Sequence, residues 1–240
     1  MEAIKEEHNY SLVHRALEII GITSFLVYII LMSVKIVYGF QNFYSDYSFY
    51  LIGSAFFLVL LAYLGADFIS GFVHFMGDSF GGNDTPVVGQ SFIKPFRDHH
   101  VDPKGITRHD FIETNGNNCI VSVPALMAVY HFAPILSELW GLLVAIFFQF
   151  LLLGIFVTNQ IHKWSHSDHP NAFINKLQKW NLILSKEHHQ IHHNPPHDKY
   201  YCITCGWLNP FLYKIHFFES VKWLVIKFSS ISEIKIQVAD

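Results

Sequence analysis

Six of the seven histidines within residues 162–193 fall at helical spacing: His162 and His166 stand four apart, and His188, His189, His192 and His193 follow in an HHxxHH pattern. On a helix, residues i and i+4 share a face, so His162 with His166, His188 with His192, and His189 with His193 can each offer two imidazoles to one metal ion. A tetrahedral site is satisfied by about four ligands, so this density points to two metals sharing one nest of nitrogens. Imidazole suits zinc, copper, iron or nickel. A hydrolytic zinc site would show an HExxH-like arrangement, and no histidine here is followed by Glu. Two redox-active irons at a membrane surface would instead fit attack by dioxygen on an unreactive lipid C–H bond.

Other residues can complete or support such a nest. His74 is preceded by Asp67 and followed by Asp78 on the same helical face, and a carboxylate inside an apolar segment marks a functional candidate. Asp67 is expected to accept the second N–H of a ligating imidazole and fix its tautomer; a plain helix-end pairing is an equal reading of this pair alone. Asp98-His99-His100 reads as part of a loop ended by Pro103 and Gly105. Adjacent histidines on a helix would diverge by about 100° and serve different metals. Taken alone, the pair is better read as solvated. Asn159 falls on the face of His162 and His166, and His109 lies in a basic loop whose Lys94, Arg97 and Arg108 can hold a phosphate-bearing headgroup.

Composition says what must position these groups. Of 240 residues 51% are hydrophobic and only 15% charged, and Phe alone occurs 23 times, the balance of a membrane protein. No basic run suits nucleic acid. Cys119, Cys202 and Cys205 cannot build a disulfide framework, and the lone Cys202-Ile-Thr-Cys205 reads as small buried thiols. The opening MEAIKEEHNY lacks the basic start of a signal peptide, so the anchor is expected in the spans themselves.

Four stretches approach the roughly 20 apolar residues that cross a bilayer: residues 16–38, 49–75, 119–136 and 139–161. The first qualifies if Glu18 and Lys35 snorkel outward; Pro124 predicts a kink in the third, and Ser137-Glu138 makes the last two an antiparallel hairpin. Lys5 and Arg15 precede the first span, Lys94, Arg97, Lys104 and Arg108 lie between the second and third, and Lys163 to Lys235 follow the fourth. Residues 39–48 and 137–138 hold no Lys or Arg. Both termini, the loop 77–118 and the tail 162–240 are therefore expected on the cytoplasmic side. That orientation sends His74, His99, His100, His109, His197 and the six clustered histidines to one face and leaves His131 near the other. From Trp207 on, aromatic residues interleave with Lys214, Lys222 and Lys227, as in a helix lying in the interface. The expected fold class is all-α. It is a single integral membrane domain over residues 1–240, with four transmembrane helices, a cytoplasmic histidine-rich cap and a C-terminal interfacial amphipathic helix.

The blocks ADFISGFVHFMGDSF, FIKPFRDHHVDPKGITRHDFIETNGNNC, TNQIHKWSH, KEHHQIHH and CITCGWLN, spread in order over roughly residues 60–213, resemble the plasmanylethanolamine desaturase family. The resemblance implies an integral membrane enzyme with a histidine-bound pair of irons. It would convert the 1-O-alkyl chain of an ethanolamine phospholipid to a 1-O-alk-1′-enyl ether, making plasmalogen. The family's histidine motifs land on His74, His99, His100, His162, His166, His188, His189, His192 and His193. In the wider desaturase pattern Asp78 stands where a histidine would follow His74, and Phe96 stands where HxxHH would begin. Asp67, Asp78, His109 and Asn159 therefore stay open as further ligands or supports.

The resemblance also implies two iron ions, O2 as co-substrate and an external electron donor, since neither a GxGxxG loop nor an HPGG haem motif is present. That donor would be cytochrome b5 with its reductase, or a ferredoxin in a bacterium. The membrane would be the endoplasmic reticulum if eukaryotic and the inner membrane if bacterial. Two rivals stand beside this reading. One is a di-iron acyl-lipid desaturase or hydroxylase; the other is a histidine-rich metal transporter or sensor, which should place ionisable groups near the bilayer midplane, where Gln149 is the clearest polar residue.

Overall fold

Ser11 starts the first helix by accepting the His14 N–H on its Oγ at 3.0 Å. From there α1 runs Leu12–Ser79 in the computed structural model, with a non-helical break at Tyr47 (φ −133°, ψ 18°). Residues 11–231 are described, and their regular elements are all helices. Lys5, Lys235 and the opening MEAIKEEHNY lie outside the described residues.

Residues 39–48, expected as a loop, are helical up to that break. They contain no proline, and their one glycine serves close packing: a Cβ on Gly39 would stand 2.7 Å from the Ile135 carbonyl oxygen. Before the break, Phe25 meets Phe156, Ser33 meets Gln149 and Gly39 meets Leu142, so this limb is antiparallel to α5 (Leu139–His166). After it, Gly65 faces Leu151, Ala66 faces Gly154 and His74 faces His162, so the second limb runs parallel to α5. The break at Tyr47 thus reverses the chain.

Helix α4 (Phe111–Phe132) lies along the first limb, with Arg15 on Asp110 at one end and Asn42 on the Leu136 carbonyl at the other. It starts well before residue 119 because Asp110 caps it, Oδ1 accepting the Ile112 and Glu113 N–H groups at 2.9 and 3.0 Å. Pro124 lies inside it, and the turn to α5 is closed by the Pro134 carbonyl, which accepts from Ser137 and Glu138. Phe25, Met32, Leu51, Leu126, Leu142 and Ala145 fill the centre of these limbs. Small residues let the backbones approach: a Cβ on Gly154 would lie 2.6 Å from that of Ala66.

The outward faces also carry large apolar side chains, with Ile30, Val37, Phe49, Phe56 and Phe132 exposed. A soluble bundle turns polar faces outward; this surface suits a lipid solvent. Both α1 and α5 are long and apolar enough to cross a membrane. Glu18 and Lys35, expected to reach outward, find partners within the bundle. Glu18 is fully buried against Gly116, 3.3 Å from His14 Nε2, and Lys35 donates to the Tyr130 carbonyl at 2.8 Å.

The remaining elements gather at the end of the bundle that holds His74 and His166. They are a π-turn (Gly89–Ile93), α2 (Lys94–Val101), α3 (Gly105–Arg108), α6 (Ala172–Lys179), α7 (Lys186–His193), α8 (Asn209–Lys214) and α9 (Phe217–Ile231). The expected single interfacial helix after Trp207 is thus two helices, broken where His216 takes a φ of 53°. The break lets Leu212 and Phe218 pack on Phe75, Phe80 and Tyr201, while Trp207, Phe211, Trp223 and Phe228 stay exposed.

Candidate metal centre

Four helices deliver the chemistry-bearing side chains. The second limb of α1 brings His74 and Asp78, one turn apart, and α5 extends beyond residue 161 to bring His162 and His166. His99 and His100 sit on α2, a helix rather than the expected loop, with Pro95 in its first turn where a missing N–H costs nothing. Ser185 caps α7 by accepting the His188 N–H, so the HHxxHH run is helical.

Among the described residues, two groups of ligand atoms converge, each with all its atoms within 4.8 Å of one another. The first holds His99, His162, His166, His189 and His193; the second holds His74, Asp78, His100 and His192. The helical twist makes the division. Neighbours His99 and His100 go to different groups, His189 and His193 share one, and His192 turns to the other. The groups adjoin, with the rings of His100 and His193 5.1 Å apart and those of His74 and His162 5.9 Å apart.

In the first group, Nε2 of His162 lies 3.2 Å from that of His166 and 2.8 Å from that of His189, which is 3.0 Å from that of His193. A neutral imidazole Nε2 carries either one proton or one lone pair in the ring plane. A row of such atoms cannot make every one of these contacts a hydrogen bond. Nitrogens bound about 2.0–2.1 Å from a shared metal at right to tetrahedral angles stand about 2.8–3.4 Å apart, which matches the spacing. Burial, with the neighbouring imidazoles adding to it, holds His99, His189 and His193 well below the ordinary histidine range. Neutral rings are the form that binds metal.

The second group is more explicit. His74 Nδ1 donates to the Tyr201 carbonyl at 3.2 Å and His192 Nδ1 to the Lys199 carbonyl at 2.9 Å. With those protons placed, the Nε2 atoms of the neutral rings present lone pairs, each 3.4 Å from Asp78 Oδ2, and His100 Nε2 is 3.1 Å from Oδ1. Those three Nε2 atoms and both Asp78 oxygens are buried without hydrogen-bond partners. Lone pairs aimed at a buried carboxylate repel unless a cation stands between them. Both groups therefore fit a metal ion.

Other residues singled out by spacing go elsewhere. His188 reaches neither group; one turn before His192, it faces Gly206, and its Nε2 accepts from Asn209 Nδ2 at 3.1 Å. His109 lies 3.5 Å from Glu113, and Asn159 donates to Asn118 at 3.3 Å. Asp67 accepts backbone N–H groups of residues 204–208 instead of an imidazole proton. Lys94 pairs with Asp98, Arg97 donates to the Gly81 carbonyl and Arg108 pairs with Asp102. The cysteines are free and buried. Sequence reasoning missed the carbonyls of Lys199 and Tyr201 and the Asn209 amide. Backbone acceptors leave no side-chain signature, so only the CITCGWLN block pointed at this region.

A lipid desaturase domain matches residues 63–233, most of the chain. The chain belongs to that family. This lipid desaturase is similar to plasmanylethanolamine desaturase of Myxococcus xanthus, 47% identical over 218 residues, which is 90% of this chain and 73% of the relative. It is also 47% identical to plasmanylethanolamine desaturase 1 of Mus musculus over 175 residues, 70% of this chain and 63% of the relative. Chloroplastic fatty acid desaturase 4 of Arabidopsis thaliana is 32% identical over 165 residues, 67% of this chain and 48% of that protein. No solved structure matches. Membership places the lipid desaturase among oxidoreductases, which sets aside the transporter and sensor readings.

Proposed function

We propose that the chain is a plasmanylethanolamine desaturase, introducing the vinyl-ether double bond into a 1-O-alkyl ether phospholipid. The observation that carries this reading is the pair of adjoining imidazole groups at one end of an apolar helical bundle in a lipid desaturase. The higher identity to the two plasmanylethanolamine desaturases than to the Arabidopsis relative favours an alkyl-ether over an acyl substrate.

In this reading the whole chain is one domain, and both limbs of α1, α4 and α5 cross the membrane. The Lys and Arg residues at the histidine-bearing end put that end in the cytoplasm. The exposed aromatic residues of α8 and α9 rest in the interface. His99, His162, His166, His189 and His193 hold one iron; His74, Asp78, His100 and His192 hold the other. When bound, the iron pair supplies the redox chemistry by which dioxygen takes two hydrogens from adjacent saturated carbons, leaving with two further electrons and two protons as water. The chain's part is to hold the ligands neutral and fixed, to exclude water with Phe96 beside His74 and Phe92 packed on Phe96, and to orient the lipid. Lys94, Arg97 and Arg108, which hold Asp98, the Gly81 carbonyl and Asp102 in the lipid-free chain, would exchange those partners for the headgroup phosphate of an ethanolamine phospholipid. Electrons come from a small redox protein on the cytoplasmic face, cytochrome b5 with its reductase or a ferredoxin.

The test is expression in cells lacking plasmalogens, fed an alkyl-ether lipid in one culture and an acyl lipid in another. Acid-labile vinyl ether from the first is the expected product. A new double bond only in the acyl lipid, or none in either from well-inserted protein, would rule the reading out.

A further inference from the structure

Asp67 is fully buried in the second limb of α1, two turns before His74 on the same face, where it meets backbone N–H groups and not the imidazole it was expected to serve. Its Oδ1 accepts the backbone N–H groups of Thr204, Cys205 and Gly206 at 3.2, 2.8 and 2.8 Å, and its Oδ2 accepts that of Leu208 at 3.2 Å. One helical turn on, Ser70 Oγ accepts the Ile203 N–H at 3.0 Å. Asn209 completes the series, its Oδ1 accepting the Cys202 N–H at 2.8 Å and its Nδ2 donating to the Cys202 carbonyl at 2.9 Å. The segment is pressed so closely onto α1 that a Cβ on Gly71 would stand 2.5 Å from Cys202 Sγ.

What this clasp fixes is the position of the residues just before it. The Tyr201 carbonyl takes the Nδ1 proton of His74 from α1, and the Lys199 carbonyl takes that of His192 from α7. Which ring nitrogen keeps the proton is set by the partner of the other nitrogen. We propose that Asp67 is the positioning residue of the second metal centre. By closing residues 202–208 on α1 it holds two carbonyls that set the tautomers of His74 and His192 and aim both Nε2 atoms at Asp78. A carboxylate is needed because it accepts from all four N–H groups with both oxygens. Asparagine would offer one oxygen and set an amide N–H against one of them. This assignment rests on the reading of the His74 group as a metal centre.

The experiment uses the full chain in detergent micelles, as wild type, Asp67→Asn and Ser70→Ala, with monodispersity and helix content checked first. Iron per chain is measured on loaded protein. The histidine tautomers are read by 15N NMR on metal-free protein, the two signals identified with His74→Gln and His192→Gln. In Asp67→Asn the second centre should bind iron about 10–100-fold more weakly while the first keeps its iron, and both rings should leave the Nδ1–H form. Ser70→Ala should shift both readouts in the same direction by less, and it decides the matter if Asp67→Asn does not fold. A folded Asp67→Asn with wild-type iron and unchanged tautomers, or one that loses both irons alike, would overturn the assignment. If wild type takes up no iron yet the tautomers move in the variants, the metal reading fails and the clasp stands.

Discussion

His188 and His189 are adjacent, both belong to the HHxxHH run, and replacing each with alanine in turn should have unequal consequences. His189 is 2% exposed, and its Nε2 stands between those of His162 and His193 at 2.8 and 3.0 Å. His189→Ala removes a central member of the proposed ligand set, a larger loss than the about 10–100-fold cost of disturbing a ligand's support, so product should fall at least about 100-fold. His188→Ala removes the acceptor for one N–H of Asn209, which is itself 1% exposed; the other N–H keeps the Cys202 carbonyl at 2.9 Å. An unmet buried donor costs about 1–3 kcal/mol. At about 2–4 °C per kcal/mol for a chain of this size, the unfolding midpoint in detergent should drop by about 2–12 °C while iron and activity persist. Vinyl-ether lipid from plasmalogen-lacking cells, iron content and the thermal midpoint measure all three, with His162→Ala as a second ligand variant behaving like His189→Ala. A folded His188→Ala devoid of iron and product, or an active His189→Ala, would refute the division of α7 described above.

Three further outcomes follow from the geometry. Asp78→Ala removes the carboxylate that three imidazoles face, so purified protein should lose the iron of that group and keep the other; retention of both would show Asp78 is no ligand. A Cβ at Gly116 would lie 2.4 Å from the Cβ of Glu18, which cannot swing aside, so Gly116→Ala should destabilise by about 1–3 kcal/mol, read as a lowered thermal midpoint; an unchanged midpoint would mean α1 and α4 are not so close. Burial, reinforced by neighbouring imidazoles, keeps His99, His189 and His193 below the ordinary histidine range, so below about pH 6.5 the unfolded chain binds more protons than the folded one. Stability of the metal-free protein should therefore be complete above that pH and decline as pH falls, and a midpoint that is level or higher in acid would contradict it.

Much of this molecule is legible without coordinates because helices are local objects. A period of 3.6 residues couples each residue only to those three and four away, so the apolar limbs and the pairs His162/His166 and His189/His193 can be read directly. The divergence of adjacent helical histidines allows His99 and His100 to part, although the pair taken alone reads as a solvated loop. Reading failed where a break depended on what the chain packs against. Residues 39–48 look like a loop because they are polar, yet neither proline nor glycine forces one, and the chain reverses at Tyr47. Glu18 and Lys35 look destined for the headgroups, yet they meet His14 and the Tyr130 carbonyl.

The supply of clustered imidazoles, and the helical spacing of those on α5 and α7, can be read from the order of residues alone. Their partition cannot. His188 and His192 are equivalent by spacing, and only the docking of residues 199–209 against α1 gives one of them the Asn209 amide and the other a place beside Asp78. The same docking turns Asp67 from a partner for imidazole into a partner for backbone N–H groups. Local periodicity states which side chains share a face; which donor meets which acceptor depends on segments more than a hundred residues apart coming together, and that is decided by packing.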